Sequence, residues 1–244
     1  MKFRIACPSR GRANNVRTTK VLPEITIYCP ESEAEEYRNW NTCEVIGVPD
    51  HIKGIVPTRQ YILDNNEEVF MVDDDIMGTS CWNRGSERKQ LVKDVGFLLD
   101  RILFIRSMAK QMGCYMYGFG NKTQPMQYKE FKPFSLTGYI CGSFMGFLKG
   151  HGLSYDLSYT EGDYYISCLN LYKHRKMFID ERYRPATFGN YEAEGGCQLY
   201  RTTETMDIVT KKLMLDFGES IVYKKPKPSK KKVRANERSL KILI

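Results

Sequence analysis

The sequence predicts an α/β protein: a single domain with a mostly parallel sheet flanked by helices, followed by a basic C-terminal tail. Three observations support this prediction. Short apolar runs alternate with helix-forming segments over the first two-thirds of the chain, an order typical of β-α-β units. The early apolar runs end at turns that contain proline or aspartate. The net charge is confined to one segment near the C-terminus.

The elements follow from apolar periodicity and from the residues that punctuate it. In the first half, the pattern predicts a strand at 2–6, a helix at 14–22, a strand at 25–29, a helix at 33–40 capped by Ser32, a strand at 44–48, a helix at 58–65, a strand at 69–72 and a long helix at 87–112. In the second half, it predicts strands and loops over an aromatic-rich stretch at 114–147, a helix at 161–175, a strand at 177–180 and a helix at 203–217.

The composition excludes a collagen-like, a wholly disordered or a disulfide-scaffold protein. Of the 244 residues, 42% are apolar and 27% are charged, which is typical of a globular domain with a core. The longest apolar stretches are interrupted by charges, and the N-terminus lacks the apolar run of a signal peptide. We therefore expect a soluble cytoplasmic protein (in the host cytoplasm if it is viral) with no membrane contact. The eight cysteines form no C-x-x-C pair and suit small, reduced core side chains.

The segment from Lys224 to Lys241 contains nine basic residues and one acidic residue, and so carries the whole net charge of +8. Its two prolines and dense like charge disfavour a helix or a strand. We expect a folded domain at 1–222 and a flexible cationic tail at 223–244. Polyanions such as nucleic acid are natural partners of such a tail, and a solubilising terminus is the alternative.

An acidic triplet, Asp73-Asp74-Asp75, follows the apolar run at 69–72. Three adjacent carboxylates repel one another unless a cation is present. Asp73 and Asp75 point to the same side of an extended backbone, so both could bind one Mg²⁺ or Mn²⁺ ion. Such an ion would bridge phosphate oxygens. The alternative interpretation is a solvated turn or a loop-capping aspartate.

Two further groups are expected at the same edge of the sheet. Arg10 and Arg12, in the loop after the first strand, have guanidinium groups suited to phosphate. Arg59, placed with Thr58 at a helix start, could add free backbone N–H groups to an anion site. Glu161 and Asp163 begin a later helix, where one of them could act as a base. Thr160 and Asp163 equally fit a capping box that only stabilises the helix.

The segments PSRGRAN, YCPE, GIVPTRQYIL and MVDDDI together resemble the GT-A glycosyltransferases. More narrowly, the chain resembles the bacteriophage DNA-base glycosyltransferases found beside TET-type 5-methylpyrimidine hydroxylases, over roughly residues 2–200. The resemblance implies a GT-A-type, Rossmann-like fold. It also implies a UDP-sugar donor, of the glucose or arabinose class, and a divalent metal.

The resemblance also implies roles for individual residues. Asp73 and Asp75 match the D-x-D pair that holds Mn²⁺ or Mg²⁺, and Glu161 or Asp163 matches the catalytic base. The nucleotide-binding positions are Pro8, Ser9, Arg10, Arg12, Arg59 and Asp74. A late third metal ligand has no clear counterpart, although Asn190 or Glu192 could serve.

The acceptor implied by the resemblance is the hydroxymethyl group of 5-hydroxymethylcytosine or hydroxymethyluracil in double-stranded DNA. The residues themselves leave other functions open. A GT-A enzyme could instead act on a protein or glycan. Two acidic clusters could also hold two metal ions in a nuclease or nucleotidyltransferase. A DNA-binding protein without catalysis, in which the acids are only structural, is a further alternative.

Overall fold

The computed structural model describes residues 3–82, 90–122, 127–160, 162–187, 203–223 and 238–240. The helices in these ranges are α1 Ala34–Trp40, α2 Ile55–Asp64, α3 Phe97–Gln111, α4 Gly162–His174 and α5 Thr203–Phe217. The strands are β1 Arg4–Pro8, β2 Thr26–Pro30, β3 Glu44–Val48, β4 Val69–Val72, β5 Ile76–Cys81, β6 Gln90–Val92, β7 Met116–Phe119, β8 Phe134–Ser135, β9 Phe144–Phe147, β10 Phe178–Asp180, β11 Tyr183–Thr187, β12 Ile221–Tyr223 and β13 Arg238–Leu240.

The central sheet has eight strands in the order β3-β2-β1-β4-β9-β7-β10-β8. Six of them run parallel, and β8 and β9 run antiparallel to their neighbours. The predicted mostly parallel sheet is therefore confirmed. We call the edge at which β1, β4, β7 and β10 end the carboxyl edge. A smaller sheet has the order β11-β5-β6, and its middle strand, β5, follows β4 along the chain.

Helices cover both faces of the central sheet. One apolar cluster joins the sheet to Tyr37 of α1 and to Leu98, Ile102 and Ile105 of α3. A second cluster joins the other face to α2 and α4. Burial of strands on both faces explains why β4 is a continuous apolar run, VFMV, rather than an alternating one.

The helix predicted at 58–65 begins three residues earlier, at Ile55. Proline is tolerated in the first turn of a helix, so Pro57 does not delay its start. The Thr58 N–H donates to the Gly54 carbonyl, at 3.2 Å. The prediction that Thr58 and Arg59 start the helix with free N–H groups was therefore wrong. Arg59 instead lies within the helix, with its side chain buried.

Two other helix predictions need correction. Residues 14–22 form two short 3-10 helices, because the Thr18 N–H donates to the Asp74 carbonyl at 3.2 Å rather than within a continuous α-helix. The long helix starts at Phe97, not Glu87, because Gly96 takes a positive φ of 95° and residues 90–92 form β6. Glu87 lies outside the described residues.

Smaller differences concern Ser32 and the tail. Ser32 lies in a 3-10 turn and bonds to Asp50, so it does not cap α1. Arg238–Leu240 pairs with Ile221–Tyr223, so the expectation of no strand in the tail was wrong at these positions. The stretches 224–237 and 241–244 lie outside the described residues. In the part of the chain that the structure describes, no helix combines the length and apolar character needed to cross a bilayer.

Candidate active site

The predicted site residues meet at the carboxyl edge of the sheet. The acidic triplet directly follows β4, and the arginine-containing loop directly follows β1. Two further segments reach the same place: the loop at 139–143, which leads into antiparallel β9, and the start of α4. The site is therefore assembled from four stretches of chain that are far apart in sequence.

Asp73 is held by a helix on one side and by a loop on the other. Its Oδ1 accepts a hydrogen bond from Arg59 Nη2 at 2.9 Å, and its Oδ2 accepts one from the Ser143 hydroxyl. The Arg59 side chain is only 8% exposed and that of Asp73 is 32% exposed, so the arginine end of this ion pair is the desolvated one. A Cβ at Gly142 would lie 2.3 Å from Arg59 Nη1, so a larger residue here would displace the guanidinium group from its present position.

Asp74 is paired in the same way with the first loop. Its Oδ2 accepts a hydrogen bond from the Ser9 hydroxyl at 2.6 Å, and its Oδ1 accepts one from Arg12 Nη1 at 3.0 Å. The Tyr37 hydroxyl lies 2.9 Å from Ser9 Oγ and accepts the Arg12 backbone N–H at 3.1 Å. This network fixes the loop against the triplet and explains why Ser9 is buried.

Asp75 differs from the other two carboxylates. Its Oδ1 is buried and has no hydrogen-bond partner in the described structure. Burial and the neighbouring Asp73 and Asp74 raise the pKa of Asp75 to about 7. Arginines compensate the first two carboxylates, whereas the third is an uncompensated buried acceptor. A cation bound at this position would compensate the charge of the Asp75 carboxylate.

The donor set fits a divalent ion that is completed by a substrate. Among the described residues, no three or more acidic, histidine or cysteine side chains are grouped as a full metal site. Mg²⁺ is usually held by one or two carboxylates together with water and substrate phosphates. Asp75, with Asp73 beside it, supplies ligands of this kind. The possible third ligands Asn190 and Glu192 lie outside the described residues.

Asp163 lies in the first turn of α4 and faces the loop at 139–143. Its Oδ2 accepts hydrogen bonds from the Tyr139 hydroxyl and from the Gly142 N–H, the latter at 3.3 Å. Its Oδ1 accepts the Tyr164 N–H at 3.0 Å, and the rings of Tyr139 and Tyr164 stack with centroids 4.2 Å apart. Asp163 thus accepts hydrogen bonds both from the Tyr164 N–H in α4 and from the loop at 139–143. Glu161 lies outside the described residues.

The remaining loop residues are placed as follows. Pro8 ends β1, and Gly11 takes a positive φ of 65°, which is typical of a tight turn. The Arg10 side chain is 58% exposed, with Nε 4.0 Å from Glu33 Oε1. Arg10 is therefore an exposed cation at the rim of the site, in contrast to Arg12, which is held by Asp74.

Sequence reasoning missed four residues that shape the site: Tyr37, Tyr139, Ser143 and Thr18. The Thr18 hydroxyl donates to the Asp73 carbonyl at 2.6 Å and accepts the Ile76 N–H at 3.0 Å, which fixes the backbone of the triplet. Hydroxyl groups that make tertiary hydrogen bonds carry no periodic pattern in the sequence. The one available indication was the pair of glycines, Gly138 and Gly142, that brackets the loop.

Carboxylates and arginines converge here at the carboxyl ends of parallel strands, the edge at which open α/β sheets bind their ligands. A family model described as TET-Associated Glycosyltransferase matches residues 3–181, well over half of the chain. The chain therefore belongs to this family. This membership confirms the predicted enzyme class, a glycosyltransferase.

Comparison with solved structures finds similarities at low sequence identity. Residues 1–349 of S. aureus TarS align with a TM-score of 0.49 and 12% identity, over 88% of this chain and 66% of that one. A cytidylyltransferase from Leptospira borgpetersenii aligns with a TM-score of 0.43 and 12% identity, over 92% of this chain and 100% of that one. The chain spans 40% of the longer TarS structure. No curated protein sequence matches the chain significantly.

Proposed function

We propose that the enzyme transfers a sugar from a UDP-sugar to the hydroxymethyl group of 5-hydroxymethylcytosine, or of hydroxymethyluracil, in double-stranded DNA, with Mn²⁺ or Mg²⁺ at Asp73 and Asp75. The observation that carries the donor half is the buried, unpartnered Asp75 oxygen beside two arginine-paired carboxylates. The acceptor half is supported by the TET association in the family description and by the basic segment from Lys224 to Lys241.

The chain's own residues would perform the donor chemistry at the carboxyl edge. The bound divalent ion would supply charge neutralisation of the diphosphate. Arg59 has a buried Nε without a hydrogen-bond partner, so it can donate to an anionic group while Nη2 still holds Asp73. Arg10 at the rim adds a second, exposed guanidinium. These donors stabilise the charge that develops on the leaving diphosphate.

Asp163 is the base in this proposal. Its carboxylate removes the proton from the hydroxymethyl oxygen of the acceptor base. That oxygen then bonds to the anomeric carbon of the sugar as the bond from this carbon to the diphosphate oxygen breaks. Tyr139 and the Gly142 N–H orient the carboxylate. The target base would be reached in the major groove or after flipping out of the duplex.

A donor screen with intact-nucleoside mass spectrometry tests this function. Duplex DNA containing 5-hydroxymethylcytosine, or hydroxymethyluracil, is incubated with the protein, Mn²⁺ and each of a panel of UDP-sugars, then digested. We expect a mass gain of one sugar that requires the metal and is lost in Asp75→Asn. The control Asp94→Asn, on an exposed loop, should keep the activity. Turnover of UDP-sugar with no product on either DNA would refute the DNA acceptor and favour a protein or glycan acceptor.

A further inference from the structure

A cationic turn with an aromatic tip lies at the carboxyl edge, away from the acidic triplet. The Lys132 N–H donates to the Lys129 carbonyl at 2.9 Å and closes the turn. Phe131, between them, is 85% exposed, and Lys129 Nζ lies 5.9 Å from the centre of its ring. A single exposed aromatic side chain is ordinary. The turn also contains Glu130, so its two lysines leave an excess of one positive charge. An exposed aromatic ring beside lysines and a cleft has a more specific use.

The cleft next to this turn has a volume of about 200 Å³. Its lining side chains are Lys122, Gln127, Lys129, Lys132, Ser135 and Glu181. Lys122 Nζ lies 2.9 Å from Glu181 Oε2, so one of the three ammonium groups is matched by the one carboxylate. The lining side chains therefore carry an excess of about two positive charges at neutral pH, and about one when Glu130 of the adjoining turn is included. Such a cleft suits a phosphodiester rather than a neutral sugar.

We infer that this surface, which we call the turn cleft (Lys122, Lys129, Phe131 and Lys132), binds the sugar-phosphate backbone of the acceptor DNA. The lysines contact phosphates, and Phe131 packs against a base or a base step. The combination of cationic groups with an exposed ring is the arrangement by which proteins hold nucleic acid without reading its sequence. This inference rests on the proposed DNA acceptor and assigns the place where the strand is held.

A short stretch of chain connects the turn cleft to the residue that contacts Asp163, the proposed base. The Glu181 N–H donates to the Pro133 carbonyl at 2.9 Å, and β8 pairs with β10, so the turn is anchored to the central sheet. The chain then runs directly to Tyr139, which bonds Asp163. Tyr139 is seven positions after Lys132, so their Cα atoms lie at most about 25 Å apart. With phosphates about 3.4 Å apart along the axis, that is about seven nucleotide steps.

The test compares three variants of the full chain. Lys129→Gln/Lys132→Gln removes two phosphate contacts, and Phe131→Ser removes the ring. Lys110→Gln/Lys149→Gln is the matched control, because it removes the same charge from exposed lysines at the opposite edge of the sheet. The measurements are the Kd for a fluorescein-labelled duplex as a function of salt, the KM and kcat for transfer to hydroxymethylated DNA, and UDP-sugar turnover without DNA.

We expect the double turn variant to weaken duplex binding about tenfold or more and to lower the salt slope by about 1.8. Phe131→Ser should weaken binding about tenfold with an unchanged slope. For both variants the KM for DNA should rise while UDP-sugar turnover without DNA stays at the wild-type rate. The control should match the wild type in slope, apart from the small effect of net charge.

The outcomes separate this inference from the proposed function. If the wild type glycosylates DNA and the double turn variant has the slope and KM of the control, the turn cleft is not the backbone site and the proposed function stands. If the wild type binds duplex through the turn cleft but transfers no sugar to hydroxymethylated DNA, the acceptor assignment fails and the binding surface stands. If the wild type neither binds DNA nor modifies it, both are wrong.

Discussion

Asp75→Asn should stabilise the metal-free protein while it abolishes metal-dependent donor binding. The folded protein raises the pKa of Asp75 to about 7, from 3.8, through burial and through Asp73 and Asp74. The unfolded chain therefore loses this proton at lower pH than the folded chain does. Stability falls as the pH rises from about 4 to about 7 and then stays at its lower value. The neutral, isosteric asparagine carries no such penalty, and Oδ1 has no hydrogen bond to lose.

The size of the effect follows from the two pKa values. The difference between them corresponds to about 4 kcal/mol at a pH above both. Because Asp75 is partly exposed, solvent screening reduces this to about 2 kcal/mol. For a domain of this length, each kcal/mol shifts the Tm by about 2–4 °C. We therefore expect Asp75→Asn to raise the Tm by about 4–8 °C at pH 8 in EDTA, and by progressively less as the pH is lowered to about 5.

Thermal and urea unfolding at pH 8 and at pH 5 measure this effect, with Asp94→Asn as an exposed control expected within about 0.5 kcal/mol of the wild type. The same unfolding measurements with added UDP and Mn²⁺ give the stabilisation by the bound ligand. At a concentration of 100 times Kd, the wild type should gain about 2.7 kcal/mol, and Asp75→Asn should lose the metal-dependent part of that gain. Destabilisation by Asp75→Asn at pH 8 in EDTA, or an equal gain at both pH values, would refute the reasoning.

Three further predictions concern the partners of the other carboxylates. Arg59→Met and Asp73→Asn should each lower the free energy of unfolding by about 2–4 kcal/mol. Urea unfolding of the double variant should show a coupling free energy of about 1 kcal/mol or more between the two positions. Additive losses in the double variant would contradict this ion pair's contribution. Gly142→Ala, which displaces Arg59, should raise the KM for the donor and leave the KM for DNA unchanged in steady-state kinetics. Tyr139→Phe should lower kcat/KM about tenfold and Asp163→Asn about 100-fold or more; a Tyr139→Phe enzyme with wild-type kinetics would show that Tyr139 does not position the base.

The layered fold and the edge that carries the site could be predicted because each depends on local patterns. The apolar run at 69–72 is bounded by acids, and β3 and β4 have the predicted bounds. Parallel strands that end in proline, arginine and aspartate turns bring those turns to one edge, whatever the loops between them do. The convergence of Asp74 with Ser9 and Arg12 therefore followed from chain order alone.

The pairing within the site could not be predicted, because it depends on tertiary contacts. Arg12 and Arg59 were expected to face phosphate, and the structure pairs each of them with a carboxylate of the triplet. The 3-10 turns at 13–20 replace a predicted helix because Thr18 bonds to the backbone of the triplet. At 13–20, a contact with the site replaced the local preference, as expected where function overrides propensity.

The three carboxylates of the triplet have different partners, and this difference explains why the unfavourable carboxylate of Asp75 is retained. Adjacent carboxylates in a partly buried turn repel one another, so a fold selected for stability alone would use fewer of them. Here arginines compensate Asp73 and Asp74, and these pairs fix the loop after β1 and the loop before β9 to the end of β4. That rigid frame leaves Asp75 uncompensated at a defined place. In the proposed function, a cation bound at Asp75 would compensate this charge, so binding of the metal and donor would recover the stability that the metal-free protein lacks.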